Sequence, residues 1–107
     1  MKHSAKYLEI RRKYIRNPFF RFMVETHLED DSPAGDLARD MNRDPYFPRK
    51  AFRYDTIENY LFALQPSQDA IITFKECYDE YIHNVNREFY EKHPEILRHK
   101  NNEGGQP

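Results

Sequence analysis

Three aspartates spaced four residues apart, Asp36, Asp40 and Asp44, have the clearest potential for chemistry in this sequence. On a helix this spacing places the three carboxylates along one face. A calcium or magnesium site would need further oxygen ligands, and no loop with calcium-binding spacing is present. We therefore interpret the row as a solvated face that pairs with Arg39 or Arg43, with Asp40 bonding a backbone group in the following turn.

A second candidate metal cluster combines His27 with the acidic residues at positions 29–31. Zinc sites need three or four ligands, and no second histidine stands four residues away. The histidines of the C-terminal part of the chain, His83, His93 and His99, show no ligand spacing. We interpret all of them as surface histidines, and we predict neither a metal nor another cofactor.

Cys77 is the only cysteine, and it lies beside an apolar stripe with no histidine close to it in the sequence. A buried, inert thiol is the favoured interpretation. A single cysteine cannot form an internal disulfide, so an oxidising compartment is not required. Because no acid–base pair, nucleophile arrangement or phosphate-binding loop is visible, we expect no enzymatic activity.

The charge distribution singles out the N-terminal segment. The net charge of the chain is −1, yet residues 1–22 carry seven Lys or Arg and one acidic residue, whereas residues 55–91 carry two basic and eight acidic residues. Basic residues interleaved with aromatics can bind phosphates and stack on bases. We favour instead an amphipathic helix whose tyrosines pack on the body. The candidate interaction residues of this arm are Tyr7, Arg11, Arg12, Lys13, Tyr14 and Arg16.

Two prolines, Pro45 and Pro48, bracket the aromatic pair Tyr46 and Phe47 in a turn. We expect Phe47 in the core, with Tyr46 partly exposed and able to contact a partner. The loop that follows extends the basic surface only if the fold brings it near the arm. Its candidate interaction residues are Arg49, Lys50 and Arg53.

Composition favours one small helical domain whose core depends on aromatic side chains. Apolar residues make up 38% of the 107 residues, mean hydropathy is −1.02, and there are 8 Phe and 8 Tyr. No apolar run is long enough for a membrane span, and no signal peptide is visible. We therefore expect a cytoplasmic location.

Helical periodicity interrupted by prolines predicts five helices. Asn17-Pro18, Ser32-Pro33 and Asp44-Pro45 mark helix boundaries, and Asp55 is predicted to open a helix with a capping box. The predicted helices span about residues 4–16, 18–28, 33–43, 55–64 and 67–91, the first capped by Ser4 and the last being the longest. The predicted core is Phe19, Phe22, Met23, Leu37, Met41, Phe47, Ile57, Leu61, Ile71, Phe74, Tyr78 and Ile82.

Four segments in a fixed order carry a resemblance to a known family. They are Phe19–Met23, Pro33–Asp40 with Asp44–Pro48, Tyr54–Leu61 and Phe74–Tyr81. Over Phe19–Ile82 the chain resembles the YozE family of small bacterial proteins with a SAM-like (sterile-alpha-motif-like) helical fold. It departs from the family pattern at Cys77-Tyr78, where Ala-Trp would be typical. The resemblance implies a fold but no established activity and no catalytic residue.

These observations together predict an all-α fold: a SAM-like four-helix bundle with an additional N-terminal helix and a long C-terminal helix. Residues 1–17 would form the basic arm, 18–92 the SAM-like domain and 93–107 an extension disordered at its end. The expected function is a non-enzymatic interaction module, a protein-binding adaptor or regulator in the bacterial cytosol. The alternative is nucleic-acid binding through the arm.

Overall fold

Six helices make up the part of the chain that the structure describes. A computed structural model describes residues 5–92, without the side chains of residues 5–7, 10 and 88–90. The helices are α1 (Ala5–Arg16), α2 (Phe19–His27), α3 (Pro33–Arg43), α4 (Tyr54–Ala63), α5 (Gln68–Val85) and α6 (Arg87–Lys92). Residues 5–92 contain no strand, which confirms the all-α prediction. None of these helices combines the length and the apolar character needed to cross a membrane.

The proline-marked boundaries are where the sequence predicted them. Ser32 caps α3, since its Oγ accepts a hydrogen bond from the Gly35 N–H at 3.1 Å, and Pro33 occupies the first helical position, where no N–H is needed. Asn17 ends α1, with its side-chain amide donating to the Lys13 carbonyl at 2.9 Å. The predicted cap Ser4 and the extension 93–107 lie outside the described residues.

Two predicted boundaries were wrong. α4 begins at Tyr54 without a side-chain cap, because the Asp55 carboxylate instead accepts from the adjacent Thr56 N–H at 2.8 Å. The predicted last helix breaks at Asn86, whose side-chain amide donates to the Ile82 carbonyl at 3.1 Å and to the Tyr14 hydroxyl at 2.6 Å. Asparagine competes in this way with the backbone bonds of a helix, so α5 ends and the short α6 follows.

The connection between α2 and α3 is bound tightly to α3. Gly35 is buried, and a Cβ placed on it would lie 1.9 Å from the Asp30 carbonyl oxygen, so only glycine allows this approach. The Arg39 guanidinium donates to the carbonyls of Leu28 and Asp30, both at 2.9 Å, and to the Asp36 carboxylate at 2.7 Å. α3 is thereby packed against α2, and both helices also pack against α5.

Seven of the twelve predicted core residues are buried, and the main difference lies in which side chains of α5 face the core. The buried apolar residues are Phe19, Phe22, Met23, Ala38, Met41, Phe47, Ile57, Phe74, Cys77 and Tyr81. Five predicted core residues are only half-buried: Leu37, Leu61, Ile71, Tyr78 and Ile82. The stripe that α5 turns inward is Phe74, Cys77 and Tyr81, with steps of three and four residues, which puts Tyr78 and Ile82 on its flank.

Phe19 lies at the centre of an aromatic cluster that joins α2 to α5. Its ring centroid is 5.4 Å from Tyr81, 5.7 Å from Phe74 and 5.7 Å from Tyr78. The first two contacts are edge-to-face, which is the favoured geometry for aromatic pairs. The Tyr81 hydroxyl donates to the Asn17 carbonyl at 2.6 Å, which also ties the C-terminal half of α5 to the junction of α1 and α2.

His27 connects the C-terminal end of α2 to α5, so its interpretation as a surface histidine was wrong. Its side chain is only 13% exposed, with Nδ1 2.7 Å from Asp30 Oδ2 and Nε2 2.6 Å from Glu80 Oε1. Both ring nitrogens can donate only in the imidazolium form. Burial alone would lower the pKa of His27, but the hydrogen bonds to Glu80 and Asp30 outweigh it and raise the pKa.

Replacing Phe74 with alanine should lower the free energy of unfolding by about 3–5 kcal/mol, because the ring is 2% exposed and its removal leaves a cavity in the core. Phe62→Ala is the matched control, since that ring is 45% exposed and should cost no more than about 1 kcal/mol. Urea denaturation of the two variants measures the difference. Equal midpoints for both variants would contradict this packing.

Stability should fall as the pH rises through the raised pKa of folded His27. The imidazolium form is favoured in the folded chain, so its contribution is complete below the usual value of 6.5 and is lost at higher pH. Thermal melts between about pH 6 and about pH 9 should show this decrease, and His27→Gln should flatten it. A decrease of the same size in the glutamine variant would assign it to another group.

Candidate functional site

An apolar groove of about 350 Å³ lies between α3, α4 and α5. Its floor combines residues from each element: Met41 of α3, Phe47 of the proline-bracketed turn, Leu61 of α4, and Ile71 and Phe74 of α5. Helical spacing turns these side chains toward one another, except for Phe47, which lies in the turn after α3. Leu64, Pro66 and Ser67, in the connection between α4 and α5, complete the lining.

Two large apolar side chains stand exposed at the mouth of the groove. Phe62 is 45% and Leu64 is 57% exposed, and both line it. They are placed by the end of α4, where Gln65 adopts a left-handed backbone conformation with φ 53°. A residue with a side chain pays roughly 1–2 kcal/mol for this conformation. Periodicity within α4 does not predict this site, because the exposure of Phe62 and Leu64 depends on how the end of α4 lies relative to α3 and α5.

The rim of the groove is acidic. Asp40, Asp44 and Glu58 line it, and none of the other described residues that line it is a lysine or an arginine. The Glu58 carboxylate accepts a hydrogen bond from the Tyr54 hydroxyl at 2.8 Å. Asp40 forms an exposed ion pair with Arg43 at 2.9 Å, as the sequence predicted for the aspartate row.

Asp44, and not Asp40 as predicted, fastens the turn that follows α3. Its carboxylate accepts from the Tyr46 N–H at 2.9 Å and from the Tyr60 hydroxyl of α4. The bond to Tyr60 lowers the pKa of Asp44, and the same bond raises the pKa of Tyr60 to about 12. The carboxylate of Asp40 is instead engaged by Arg43, three residues further along α3.

The polar side chains of the groove already form hydrogen bonds or ion pairs within the chain, so the groove offers a partner mainly apolar contacts. The Ser67 hydroxyl caps α5 by accepting from the Ala70 N–H at 3.1 Å. Within the described part of the chain, no group of three or more His, Cys, Asp or Glu is arranged to hold a metal ion. Cys77 is 4% exposed, which confirms that the thiol is buried, and burial raises its pKa to about 11; its inertness stays a prediction.

The basic arm lies on the body through Tyr14. Its ring stacks on Phe52 with centroids 5.7 Å apart and meets Tyr81 edge-on at 6.0 Å. The predicted packing of the arm's tyrosines is thereby confirmed for Tyr14, while the side chain of Tyr7 lies outside the described residues. The arginines of the arm, Arg11, Arg12 and Arg16, are exposed, and Lys13 is half-buried.

The predicted division of the aromatic pair is confirmed, since Phe47 is 4% and Tyr46 84% exposed. In the loop beyond it, Arg49 lies over the Phe20 ring at 4.3 Å, and Lys50 is exposed. Arg53 pairs with Asp55 at 3.4 Å, and it lines the same open cleft as Tyr14. Of the three loop cations, the fold therefore places Arg53 beside the arm, and Arg49 packs on α2.

Comparison with known proteins identifies the fold. A family model described as the YozE SAM-like fold matches residues 18–83, well over half of the chain. The match covers α2, α3, α4, all but the last two residues of α5, and the groove, and α1 precedes it. A search among curated proteins found no match, and a search among solved structures found none either. The resemblance read from the sequence is confirmed, and the chain belongs to the family of proteins with the YozE SAM-like fold.

Proposed function

We propose that this protein is a non-enzymatic interaction module of the bacterial cytosol, a protein-binding adaptor or regulator that holds an apolar segment of its partner in the groove. The observation that carries the proposal is the exposure of Phe62 and Leu64 at the mouth of a groove with an apolar floor. Apolar clefts with a few placed polar groups are the usual form of binding sites.

The energetics support contact with a partner. Covering the half-exposed Phe62 and Leu64 would remove apolar surface from water, a gain on the order of 1 kcal/mol for each side chain. The rim carboxylates would stay at the solvent boundary, where charges contribute orientation and association rate more than affinity. The left-handed backbone of Gln65, which places Leu64, costs conformational free energy, and strain of this kind is often kept at binding sites.

Site-specific photocrosslinking in cells of the source organism tests this proposal. A benzoylphenylalanine at position 62 should crosslink to a protein partner, and Leu64→Asp in the same chain should reduce the product several-fold, because a charge at the mouth opposes apolar docking. The matched control carries the photoprobe at Glu25, an exposed residue of α2 that does not line the groove. Equal crosslinking from positions 62 and 25, unaffected by Leu64→Asp, would refute the proposal.

Nucleic-acid binding through α1 is a second candidate, supported by the exposed side chains of Arg11, Arg12 and Arg16. The packing of Tyr14 on Phe52 weighs against it, since that ring is not free to stack on a base. The hypothesis predicts affinity for single- or double-stranded DNA that falls steeply with salt and is lost on changing Arg11 and Arg12 to Glu. A flat anisotropy titration at low salt would remove it.

A further inference from the structure

The outer face of α1 combines apolar and basic side chains. Leu8 is 39% and Ile15 is 55% exposed. They stand seven residues apart, which is two helical turns, so they lie on one line along the helix. Arg11 and Arg12 are exposed between them. Tyr14 faces the body instead, so this outer face remains available while α1 stays packed.

The groove is complementary to this face in both apolar character and charge. Its floor is apolar, and Asp44 and Glu58 at its rim accept hydrogen bonds from uncharged donors, tyrosine hydroxyls and a backbone N–H. Among the described residues, neither carboxylate has a lysine or arginine within ion-pair distance. The charge of Arg49 is close enough to help lower the pKa of Asp44, but Arg49 forms no ion pair with that carboxylate, so the rim stays acidic toward a cationic partner.

The α1 helix of the same molecule is held away from the groove. Tyr14 is fixed by Tyr81 and Asn86, in and beyond the C-terminal half of α5. The groove is lined by Ala70 and Phe74, in the N-terminal half of α5. Ala70 lies eleven positions before Tyr81, about 16 Å along the helix, and Phe74 lies seven positions before it, about 10 Å. An α1 helix that enters the groove while packed on its own body must come from another molecule.

We propose that the groove binds the outer face of α1 from a second copy of this chain, so that copies associate head to tail. This inference rests on the proposed function of the groove. Leu8 and Ile15 would cover the apolar floor, and Arg11 and Arg12 would meet the acidic rim. A single face of a 12-residue helix buries less than a standard interface, so the expected dissociation constant is weak, on the order of 0.1 mM.

Charge reversal on each surface tests the proposal in the full chain. One variant combines Arg11→Glu with Arg12→Glu, and the other combines Asp40→Lys with Glu58→Lys. Sedimentation velocity from about 10 µM to about 1 mM should show association of the unaltered chain. Each double variant should associate at least about tenfold more weakly, because two attractive contacts become repulsive. Circular dichroism and thermal melts confirm that both variants are folded.

Mixing the two variants gives the sharpest result. In the mixture, every acidic α1 meets a basic groove on the other variant, and every basic α1 meets an acidic groove. The equimolar mixture should therefore associate like the unaltered chain, while each variant alone associates at least about tenfold more weakly. As a control, Lys50→Glu with Lys75→Glu makes the same charge change as the α1 variant on exposed residues outside both surfaces, and it should associate like the unaltered chain.

Three outcomes would overturn the inference: an unaltered chain that is monomeric up to about 1 mM, charge reversals without effect, or no recovery in the mixture. Loss of DNA binding in the α1 variant without a change in sedimentation would overturn it as well. A crosslink from position 62 to a different protein, with the chain itself monomeric, would overturn this inference while the proposed function stands.

Discussion

The packing of Phe19 against α5 is the contact on which the rest of the fold depends. With only 38% apolar residues and no tryptophan, the chain builds its core from a small number of large rings. Phe19 is fully buried and meets Phe74, Tyr78 and Tyr81 at once. Since Tyr81 also bonds the Asn17 carbonyl, the entry of the chain into α2 and the inner face of α5 are fixed together.

The groove is a consequence of how α4 is attached to this frame. α4 is held by the buried Ile57, by the stacking of Tyr54 on Phe74 and by the bond from Tyr60 to Asp44. These anchors all lie in its first two turns, so its last turn extends past the frame with Phe62 and Leu64 exposed. The apolar side chains at the mouth of the groove are therefore those at the end of α4 that the core does not bury, while the floor is shared with the core.

Local signals predicted the local structure. The Ser32 cap, the proline boundaries and the division of Tyr46 from Phe47 each depend on neighbouring residues, and each is confirmed. Two errors were local, the cap assigned to Asp55 and the choice of Asp40 over Asp44, and the others concern contacts that join residues far apart in the chain. His27 meets Glu80 across 53 positions, Tyr81 meets Asn17 across 64, and Asn86 meets Tyr14 across 72. The spacing of residues within one helix cannot predict such contacts. The groove likewise forms only where three helices meet, so no single helix predicts it.

We propose the groove and the outer face of α1 as the binding surfaces of this protein. Amide chemical shifts of the isotopically labelled chain, recorded as unlabelled chain is added, test it most directly. The account predicts shift changes that grow with concentration at groove residues such as Leu61 and Ile71 and along α1, with α2 unaffected. Spectra that do not change, or changes centred on α2, would contradict it.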